Sequence, residues 1–160
     1  SGLVSKMVSR LTRKKSTKGI KVKGLDDMLV RFANCCHPLP GEHVTGFITR
    51  GRGVTIHKYN CRHIMDADPN RIVDVVWEPS NNDVYLARLK VSSVDKKGIL
   101  ADISSIMSQK NANIIQAEIK TTMDKKGLSF FTIEVEDFKQ LEDIMVSIKR
   151  LRDVIIVERI

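Results

Sequence analysis

The sequence predicts an α+β protein in which a small β-rich module precedes a unit with the element order βαββαβ. The chain has 160 residues, enough for one average domain or two small ones, and 42% of them are hydrophobic, enough to fill a core. Residues 20–78 hold short strand-like runs separated by turns that contain Pro and Gly. Residues 84–160 alternate strand-like runs with two amphipathic helical stripes.

These patterns divide the chain into four segments. The run Glu78-Pro-Ser-Asn-Asn-Asp83 is polar and turn-forming, and it marks the clearest boundary. We therefore expect a basic helix and linker at 1–19, a cysteine module at 20–78, a linker at 79–83 and a second domain at 84–160. The chain begins with Ser-Gly rather than Met, which indicates a fragment of a longer protein.

The cysteine module is predicted to consist of short strands around an irregular loop. Pro38 and Pro40 fix φ and remove backbone donors, so the loop that contains Cys35 and Cys36 cannot be regular structure. The expected elements are strands at Ile20–Val22, Met28–Phe32 and Ile72–Trp77, a hairpin of Val44–Thr49 and Val54–Lys58, and a helical turn at Cys61–Met65.

The second unit has the pattern of four strands and two helices. Asp95 is expected to cap the first helix. The predicted strands are Tyr85–Val94, Ile114–Thr122, Ser129–Val135 and Val154–Ile160, with a hairpin turn at Asp124–Gly127. The helical stripes are Ile99, Leu100, Ile103, Ile106 and Met107, and then Phe138, Leu141, Ile144, Met145, Ile148 and Leu151. The order βαββαβ closes as an antiparallel sheet with both helices on one face, which is the ferredoxin-like arrangement.

The face of this sheet opposite the helices is expected to be partly apolar. Two short helices do not need all of Leu89, Val91, Ile119 and Ile133 beneath them. Because an exposed apolar face is a liability for a monomer, the sequence predicts a homodimer through this unit.

Charge is concentrated at the start of the chain. Of 27 Lys and Arg residues, eight lie in residues 1–24, which hold no acid, and the remaining 19 balance 19 acids. Because the excess of basic residues is confined to one segment, it indicates a partner that carries phosphates, either nucleic acid or anionic lipid. Residues 1–14 also place five apolar residues on one helical face, which fits the end of a preceding domain's helix as well as a nucleic-acid or membrane-surface helix.

Several protein classes are disfavoured by composition. No run approaches the roughly 18 apolar residues of a membrane helix, and no secretory signal is present. Three cysteines make a disulfide framework unexpected, and a cytoplasmic location follows as the expectation. The sequence has neither a Gly-rich phosphate loop followed by Lys-Ser/Thr nor a paired His-Asp run, so we do not expect this fragment to be an enzyme.

The cysteines permit three interpretations: a metal site, buried structural thiols, or a redox sensor. For a metal, zinc above all, the candidate ligands are Cys35, Cys36, Cys61 and His63. Adjacent cysteines depart from the usual zinc spacing of two to four intervening residues. His57 is expected to be a hydrogen-bonded histidine of the module rather than a ligand.

Basic residues also cluster at the predicted hairpin tip. No acid lies between Glu42 and Asp66, and guanidinium groups on a turn suit phosphates and stacked bases. The alternative is a solvated turn. Together with the basic arm, the hairpin tip supplies the candidate residues for RNA contact, which are Arg10, Arg13, Lys14, Lys15, Arg50, Arg52, Lys58 and Arg62.

Two local sequences resemble known families. Val94-Asp-Lys-Lys-Gly-Ile-Leu-Ala-Asp-Ile103 with Asn111-Ala-Asn-Ile114 resembles the ACT domains, which are small regulatory modules. Asn34-Cys-Cys-His-Pro-Leu-Pro-Gly41 and Gly46-Phe-Ile-Thr-Arg-Gly-Arg-Gly-Val-Thr-Ile-His-Lys-Tyr-Asn-Cys61 resemble the conserved-cysteine module of the RelA/SpoT homologues. The resemblance covers roughly residues 20–160.

The resemblance implies a non-catalytic C-terminal regulatory fragment of a guanosine tetra- and pentaphosphate enzyme, a GTP pyrophosphokinase of the stringent response. It implies the ribosome and its RNA as partners, together with the enzyme's own catalytic domains. It also implies a zinc-finger-like cysteine module. The alternative is a self-standing metal- or redox-sensing ACT adaptor.

The ACT resemblance also implies an effector site that takes an amino acid, with branched aliphatic ones as first candidates. Asp95 and Lys97 offer charges, Gly98 allows close backbone approach, and Asn113 donates and accepts hydrogen bonds. Ile99, Leu100 and Ile114 flank these polar groups. The alternative is a helix cap, a turn glycine and a strand-start asparagine that hold no ligand.

Overall fold

The computed structural model describes residues 19–25, 28–51 and 53–160. The predictions for the basic arm at 1–18, with Arg10, Arg13, Lys14 and Lys15, and for Arg52 lie outside the described residues. The strands are β1 (Ile20–Val22), β2 (Leu29–Phe32), β3 (Val44–Ile48), β4 (Gly53–Lys58), β5 (Ile72–Val73), β6 (Val75–Trp77), β7 (Tyr85–Val94), β8 (Asn113–Thr121), β9 (Lys126–Val135) and β10 (Val154–Arg159). The helices are α1 (Arg62–Met65), α2 (Ile99–Gln109) and α3 (Phe138–Lys149), with a 3₁₀ turn at Pro69–Arg71.

The cysteine module contains a four-stranded sheet and a two-stranded ribbon. The sheet order is β2-β4-β3-β5, with β2 parallel to β4, and β1 pairs with β6 in the ribbon. The hairpin of β3 and β4 and the helical turn are confirmed. The single strand predicted at Ile72–Trp77 is wrong, because Asp74 divides it between two sheets and its carbonyl accepts from the Lys23 N–H at 3.1 Å.

The βαββαβ unit has the predicted α+β architecture. Its sheet order is β10-β7-β9-β8, every pair is antiparallel, and the apolar stripes of α2 and α3 pack on one face. The prediction that Asp95 caps the first helix is wrong. Gly98 occupies the N-cap position with φ +91° and has no side chain to act as a cap, and the Ile99 N–H donates to the Lys96 carbonyl at 3.3 Å.

The prediction of which apolar side chains lie on the open face of the sheet is partly wrong. Leu89, Val91 and Ile133 are fully buried beneath the helices, because alternate residues of β7 and β9 point to the core. Ile119 is 48% exposed on the edge strand β8. Apolar side chains do reach the open face from β7 and β9, but they are those of Leu86, Leu128 and Phe130.

The two units share apolar contacts. Leu39, from the cysteine loop, is fully buried in the core of the βαββαβ unit. Phe32 and Trp77 stack with ring centroids 5.7 Å apart, and Tyr85 meets both edge-on at 5.4 Å. None of the helices in the described ranges is both long and apolar enough to cross a membrane.

Candidate functional site

Four donor atoms converge at one end of the cysteine module. Cys35, Cys36, His57 and Cys61 each place a sulfur or nitrogen within 4.8 Å of the others. Parallel strands place their carboxyl ends at the same edge of a sheet. The two cysteines that follow β2 therefore lie beside the histidine near the end of β4 and the cysteine just beyond it.

The separations of these donors fit a tetrahedral metal ion. The Cys35 sulfur lies 3.9 Å from the Cys36 sulfur and 3.6 Å from the Cys61 sulfur. The Nδ1 atom of His57 lies 3.4 Å from the first of these sulfurs and 3.9 Å from the second. Zinc bonds of the usual length place neighbouring sulfurs about 3.8 Å apart, and sulfur and nitrogen about 3.6 Å apart. Four of the six donor pairs therefore have separations close to those of a zinc tetrahedron, and all six lie within 4.8 Å.

A tight turn allows adjacent cysteines to face one site. The His37 N–H donates to the Ala33 carbonyl at 3.0 Å, and His37 adopts a positive φ of 41°. The Lys58 N–H donates to the Cys36 sulfur at 3.3 Å and orients it. The unusual sequence spacing is thus compensated by an irregular backbone, as the two prolines of the loop permit.

The thiols differ in acidity. Burial raises the pKa of Cys36 to about 12, although the Lys58 N–H acts in the opposite direction. Burial and a hydrogen bond with Cys61 raise the pKa of Cys35. For Cys61, burial raises the pKa, but the backbone N–H of His63 and other hydrogen bonds outweigh burial and lower it. Cys35 and Cys36 therefore keep their protons unless a cation compensates the thiolate charge.

The fourth donor differs from the one predicted. His57, expected to be only a structural histidine, supplies the nitrogen of the cluster, whereas His63 is exposed and contributes its backbone N–H to the Cys61 sulfur. Burial lowers the pKa of His57, which keeps the imidazole neutral as a metal ligand requires. The three residues between His57 and Cys61 are a zinc-type spacing that could have identified this ligand.

The described residues predicted to contact RNA are not equivalent. Arg50, at the hairpin tip, and Arg62, on α1, are exposed. The Lys58 ammonium lies 3.5 Å from the Glu42 carboxylate, so its charge is already partly compensated. Among the described candidates for RNA contact, the hairpin tip and α1 therefore carry the exposed guanidinium groups.

The predicted effector residues do not form one site within a chain. Gly98 lies shortly beyond the end of β7, where Val94 pairs with Lys126. Asn113 lies at the other end of the sheet, where it pairs with Glu134. At the rise of an extended strand, the two ends lie about 27 Å apart. Asp95, Lys97 and Leu100 are exposed, and Ile99 and Ile114 are half-buried.

Two of the predicted effector residues also have structural roles. A Cβ at Gly98 would meet nothing within 4 Å, so this glycine is required for its φ of +91° rather than for space. The side-chain amide of Asn113 donates to Glu134 at 2.8 Å.

An ion pair that no local sequence pattern reveals joins the cysteine loop to the last strand. Arg159 donates to both carboxylate oxygens of Glu42, at 2.7 and 2.8 Å, and to the His37 carbonyl at 2.6 Å. The Leu39 N–H also donates to Glu42 at 3.0 Å. The cysteine loop is thereby attached to the sheet of the βαββαβ unit.

Comparison with known proteins gives matches for both units. Residues 20–78 match the RelA/SpoT RIS domain, and residues 81–159 match the ACT domain. A GTP pyrophosphokinase of Myxococcus xanthus is 42% identical over 157 residues, which are 98% of this chain and 21% of that protein. The bifunctional (p)ppGpp synthase/hydrolase RelA of Mycobacterium tuberculosis is 31% identical over 153 residues, which are 94% of this chain and 21% of that protein.

A solved structure is also similar to part of the chain. The ACT domain from the GTP pyrophosphokinase of Chlorobium tepidum is 24% identical, with a TM-score of 0.43, and covers 47% of this chain and 96% of that one. The chain spans about a fifth of the length of the two curated relatives named above, from Myxococcus xanthus and Mycobacterium tuberculosis.

Proposed function

The chain belongs to the RelA/SpoT homologue family, and we propose that it is the C-terminal regulatory part of a longer enzyme that makes or degrades guanosine tetra- and pentaphosphate. The full-length relatives named above are a GTP pyrophosphokinase and a bifunctional synthase/hydrolase, which supports this activity for the parent protein. The matched segments are an RIS and an ACT domain. In this proposal they are not catalytic, act on the enzyme's catalytic domains, and operate in the cytoplasm during the stringent response.

The regulatory part is proposed to contain a structural zinc ion. The donor set of Cys35, Cys36, His57 and Cys61, with separations close to those of a zinc tetrahedron, is the observation that carries the proposal. Zinc would cross-link the end of β2 to the end of β4 and hold the intervening hairpin in place. Backbone N–H groups of Lys58 and His63 already support two of the sulfurs, as outer-shell donors do at metal sites.

The hairpin tip and α1 are proposed to contact ribosomal RNA. Arg50 and Arg62 are exposed on the cysteine module, and the net charge of the chain is +8. Exposed guanidinium groups suit phosphate contacts, whose contribution is independent of base sequence and falls as salt rises. The zinc ion would act indirectly, by fixing the hairpin whose tip carries Arg50 and the start of α1, which carries Arg62.

The ACT unit is proposed to form a homodimer and to bind an amino-acid effector between the two chains. Gly98 and Asn113 can meet only across such a seam, because they lie at opposite ends of one sheet. The edge strand β8 exposes Ile115 and Ile119, which favours pairing with a second copy.

Binding to structured ribosomal RNA tests the proposal that the zinc-containing cysteine module contacts RNA. The zinc-loaded chain is expected to bind with an affinity that falls steeply with salt, and the chain stripped of zinc by a chelator is expected to bind more weakly. Vesicles of anionic lipid serve as the comparison. Binding to vesicles but not to RNA, or equal RNA binding with and without zinc, would contradict the proposal.

A further inference from the structure

Two exposed aromatic rings stack on the surface of the cysteine module, beside the donor cluster. The centroids of the His43 and Tyr59 rings lie 4.7 Å apart, and the ring planes are 26° from parallel. Tyr59 is 55% exposed, and His43 is exposed as well. Within the described ranges, Tyr59 belongs to neither of the two hydrophobic cores. The stack is therefore a surface feature that the packing of the fold does not require.

The backbone holds the tyrosine in place. The Tyr59 N–H donates to the His43 carbonyl at 3.0 Å, and the Cys61 N–H donates to the Lys58 carbonyl at 3.0 Å, which closes a turn around the tyrosine. Two of the proposed zinc ligands, His57 and Cys61, lie two positions before and two positions after Tyr59. A ligand that stacks on the ring therefore meets a side chain whose backbone is already ordered, which lowers the entropy cost of binding.

The stack leaves room for a third flat group. The imidazole of His43 lies against one face of the phenol ring, and the 55% exposure of Tyr59 leaves much of its remaining surface accessible. Aromatic rings prefer an offset stacked arrangement, which a planar ligand can adopt on the second face. Such a ligand would extend the stack outward from the module.

The charge around the stack favours an anionic ligand. Arg62 is exposed and lies three positions after Tyr59, so no more than about 11 Å separates their Cα atoms. Positions 43–65 contain no acid, and the nearby Glu42 carboxylate is already paired with the Lys58 ammonium at 3.5 Å. A planar group with a phosphate beside it, which is the composition of a nucleotide, is complementary to this surface.

We propose that Tyr59 stacks on an unpaired base of RNA, with His43 supporting the other face of its ring. The assignment rests on the RNA contact in the proposed function and adds a selective element to it. The phosphate contacts of Arg50 and Arg62 carry no preference for unpaired bases. Bases in a duplex are already stacked on their neighbours, whereas those in loops and bulges are free to stack on a protein side chain. Tyr59 therefore directs the module to the loops and bulges of a structured RNA.

Fluorescence anisotropy with the whole zinc-loaded chain tests the stack. The probes are a labelled oligouridylate, which remains single-stranded, and a labelled RNA duplex of the same length. Tyr59→Leu is expected to weaken binding of the single strand about tenfold, as loss of an aromatic platform for one base does. Its affinity for the duplex and the slope of log affinity against log salt are expected to stay unchanged, because no phosphate contact is lost.

Further variants separate stacking from apolar contact and from folding. Tyr59→Phe and Tyr59→Trp keep an aromatic ring and are expected to retain binding of the single strand. Leu29→Ala is the matched control, because it removes another exposed apolar side chain, 51% exposed, from the opposite end of the module, where β2 pairs with the start of β4. It is expected to bind normally. Retention of zinc by Tyr59→Leu shows that the turn around the tyrosine is intact.

Proton NMR of the unsubstituted chain gives a second measurement that depends on no variant. The chain has two tyrosines, of which Tyr85 is buried and serves as the internal reference. The ring-proton signals of Tyr59 are expected to move upfield when oligouridylate is added, because a stacked base shields the protons beneath it. The signals of Tyr85 are expected to stay in place.

Four results would overturn the assignment. Equal affinity of the unsubstituted chain and Tyr59→Leu for the single strand, or unmoved Tyr59 signals, would refute the stack and leave the proposed RNA contact standing. Loss of binding in Tyr59→Phe and Tyr59→Trp as well would show that the tyrosine acts through the fold. Binding of uridine monophosphate as tight as that of oligouridylate would assign the surface to free nucleotides. Absence of binding to the single strand, the duplex and structured ribosomal RNA alike would refute both the stack and the RNA contact of the proposed function.

Discussion

Arg159 and Glu42, 117 positions apart in the sequence, form a two-pronged ion pair with bonds of 2.7 and 2.8 Å. Their side chains are only 14% and 10% exposed, so the pair is largely removed from water. Because the same guanidinium also bonds the His37 carbonyl, this one contact fixes the backbone beside Cys36. The geometry of the cysteine loop thus depends on a strand of the neighbouring unit.

Replacing Glu42 is expected to destabilise the chain strongly. Glu42→Gln leaves the Arg159 charge buried without its counter-charge, and losses of this kind cost about 3–5 kcal/mol. Urea unfolding would measure the change in the free energy of unfolding. Lys126→Gln, which removes a pair whose side chains are 56% and 63% exposed, is the control and is expected to change the free energy of unfolding far less, because water already screens that pair. Equal losses of unfolding free energy in the two variants would show that the buried pair stabilises the chain no more than the exposed pair does.

Two histidine variants distinguish the metal ligand from its neighbour. His57→Ala removes a donor of the cluster, so zinc affinity is expected to fall by at least about 100-fold, more than the usual effect of losing an outer-shell group. His63→Ala keeps the backbone N–H that bonds Cys61 and is expected to retain about one zinc per chain. Competition with a chelating dye measures both. A stronger loss in His63→Ala would restore the ligand set expected from the sequence.

Exposed arginines are expected to set the salt dependence of RNA binding. Arg50→Gln and Arg62→Gln should each reduce the slope of log affinity against log salt by about one unit, as loss of one phosphate contact does. Deleting residues 1–18 should reduce it further. Fluorescence anisotropy at several salt concentrations gives the slope, and Arg152→Gln on the other unit is the control. An unchanged slope in the double arginine variant would mean that these side chains are merely solvated.

Alkaline pH is expected to destabilise the chain through Tyr85. Burial, with a contribution from the charge of Asp83, raises the pKa of its phenol to about 12 from the ordinary 10.0. The unfolded chain therefore loses this proton first. The stabilisation is complete below pH 10 and is lost between about pH 10 and 12.

Absorbance near 295 nm follows the tyrosinate. The chain has two tyrosines, so the titration uses Tyr59→Phe, which leaves Tyr85 as the only one. A midpoint close to pH 10 in the folded variant would contradict the effect of burial.

Dimerisation is expected to use the β8 edge. Ile119→Lys places a charge on that edge and is expected to convert a dimer at about 100 μM into a monomer. Ile155→Lys makes the same change on the other edge strand, β10, and is expected to leave the mass unchanged. Sedimentation equilibrium measures both. A monomeric mass for the unsubstituted chain at this concentration would exclude the dimer.

The βαββαβ order could be predicted because its determinants are local. Alternating residues in β7 and the stripes of α2 and α3 specify element type within ten or twelve residues. The prediction that placed some of Leu89, Val91 and Ile133 on the sheet face opposite the helices was wrong. Both sheet faces contain apolar residues, so periodicity alone did not say which face the helices cover.

The cysteine site was predicted only in part because its determinants are not local. The adjacent Cys35 and Cys36 reach one site through a turn with a positive φ at His37, a conformation that is uncommon outside glycine and that the sequence does not signal. The spacing of His57 and Cys61 marks this histidine as a candidate ligand, but it meets Cys35 and Cys36 only because β2 and β4 are parallel, and no pattern in two short strands reveals their relative direction. Glu42 and Arg159 likewise carry no signal of their pairing.

The burial of Leu39 has a consequence for how the molecule unfolds. Its side chain has 0% exposure in the core of the βαββαβ unit, although it belongs to the loop that carries the cysteines. A fragment that starts after Asp83 would have a hole in its core, and filling such a site with leucine is worth about 2–5 kcal/mol. Slow amide hydrogens in both units are therefore expected to exchange together, through one global opening. The boundary at 79–83 would then separate sequence motifs without separating cooperative units.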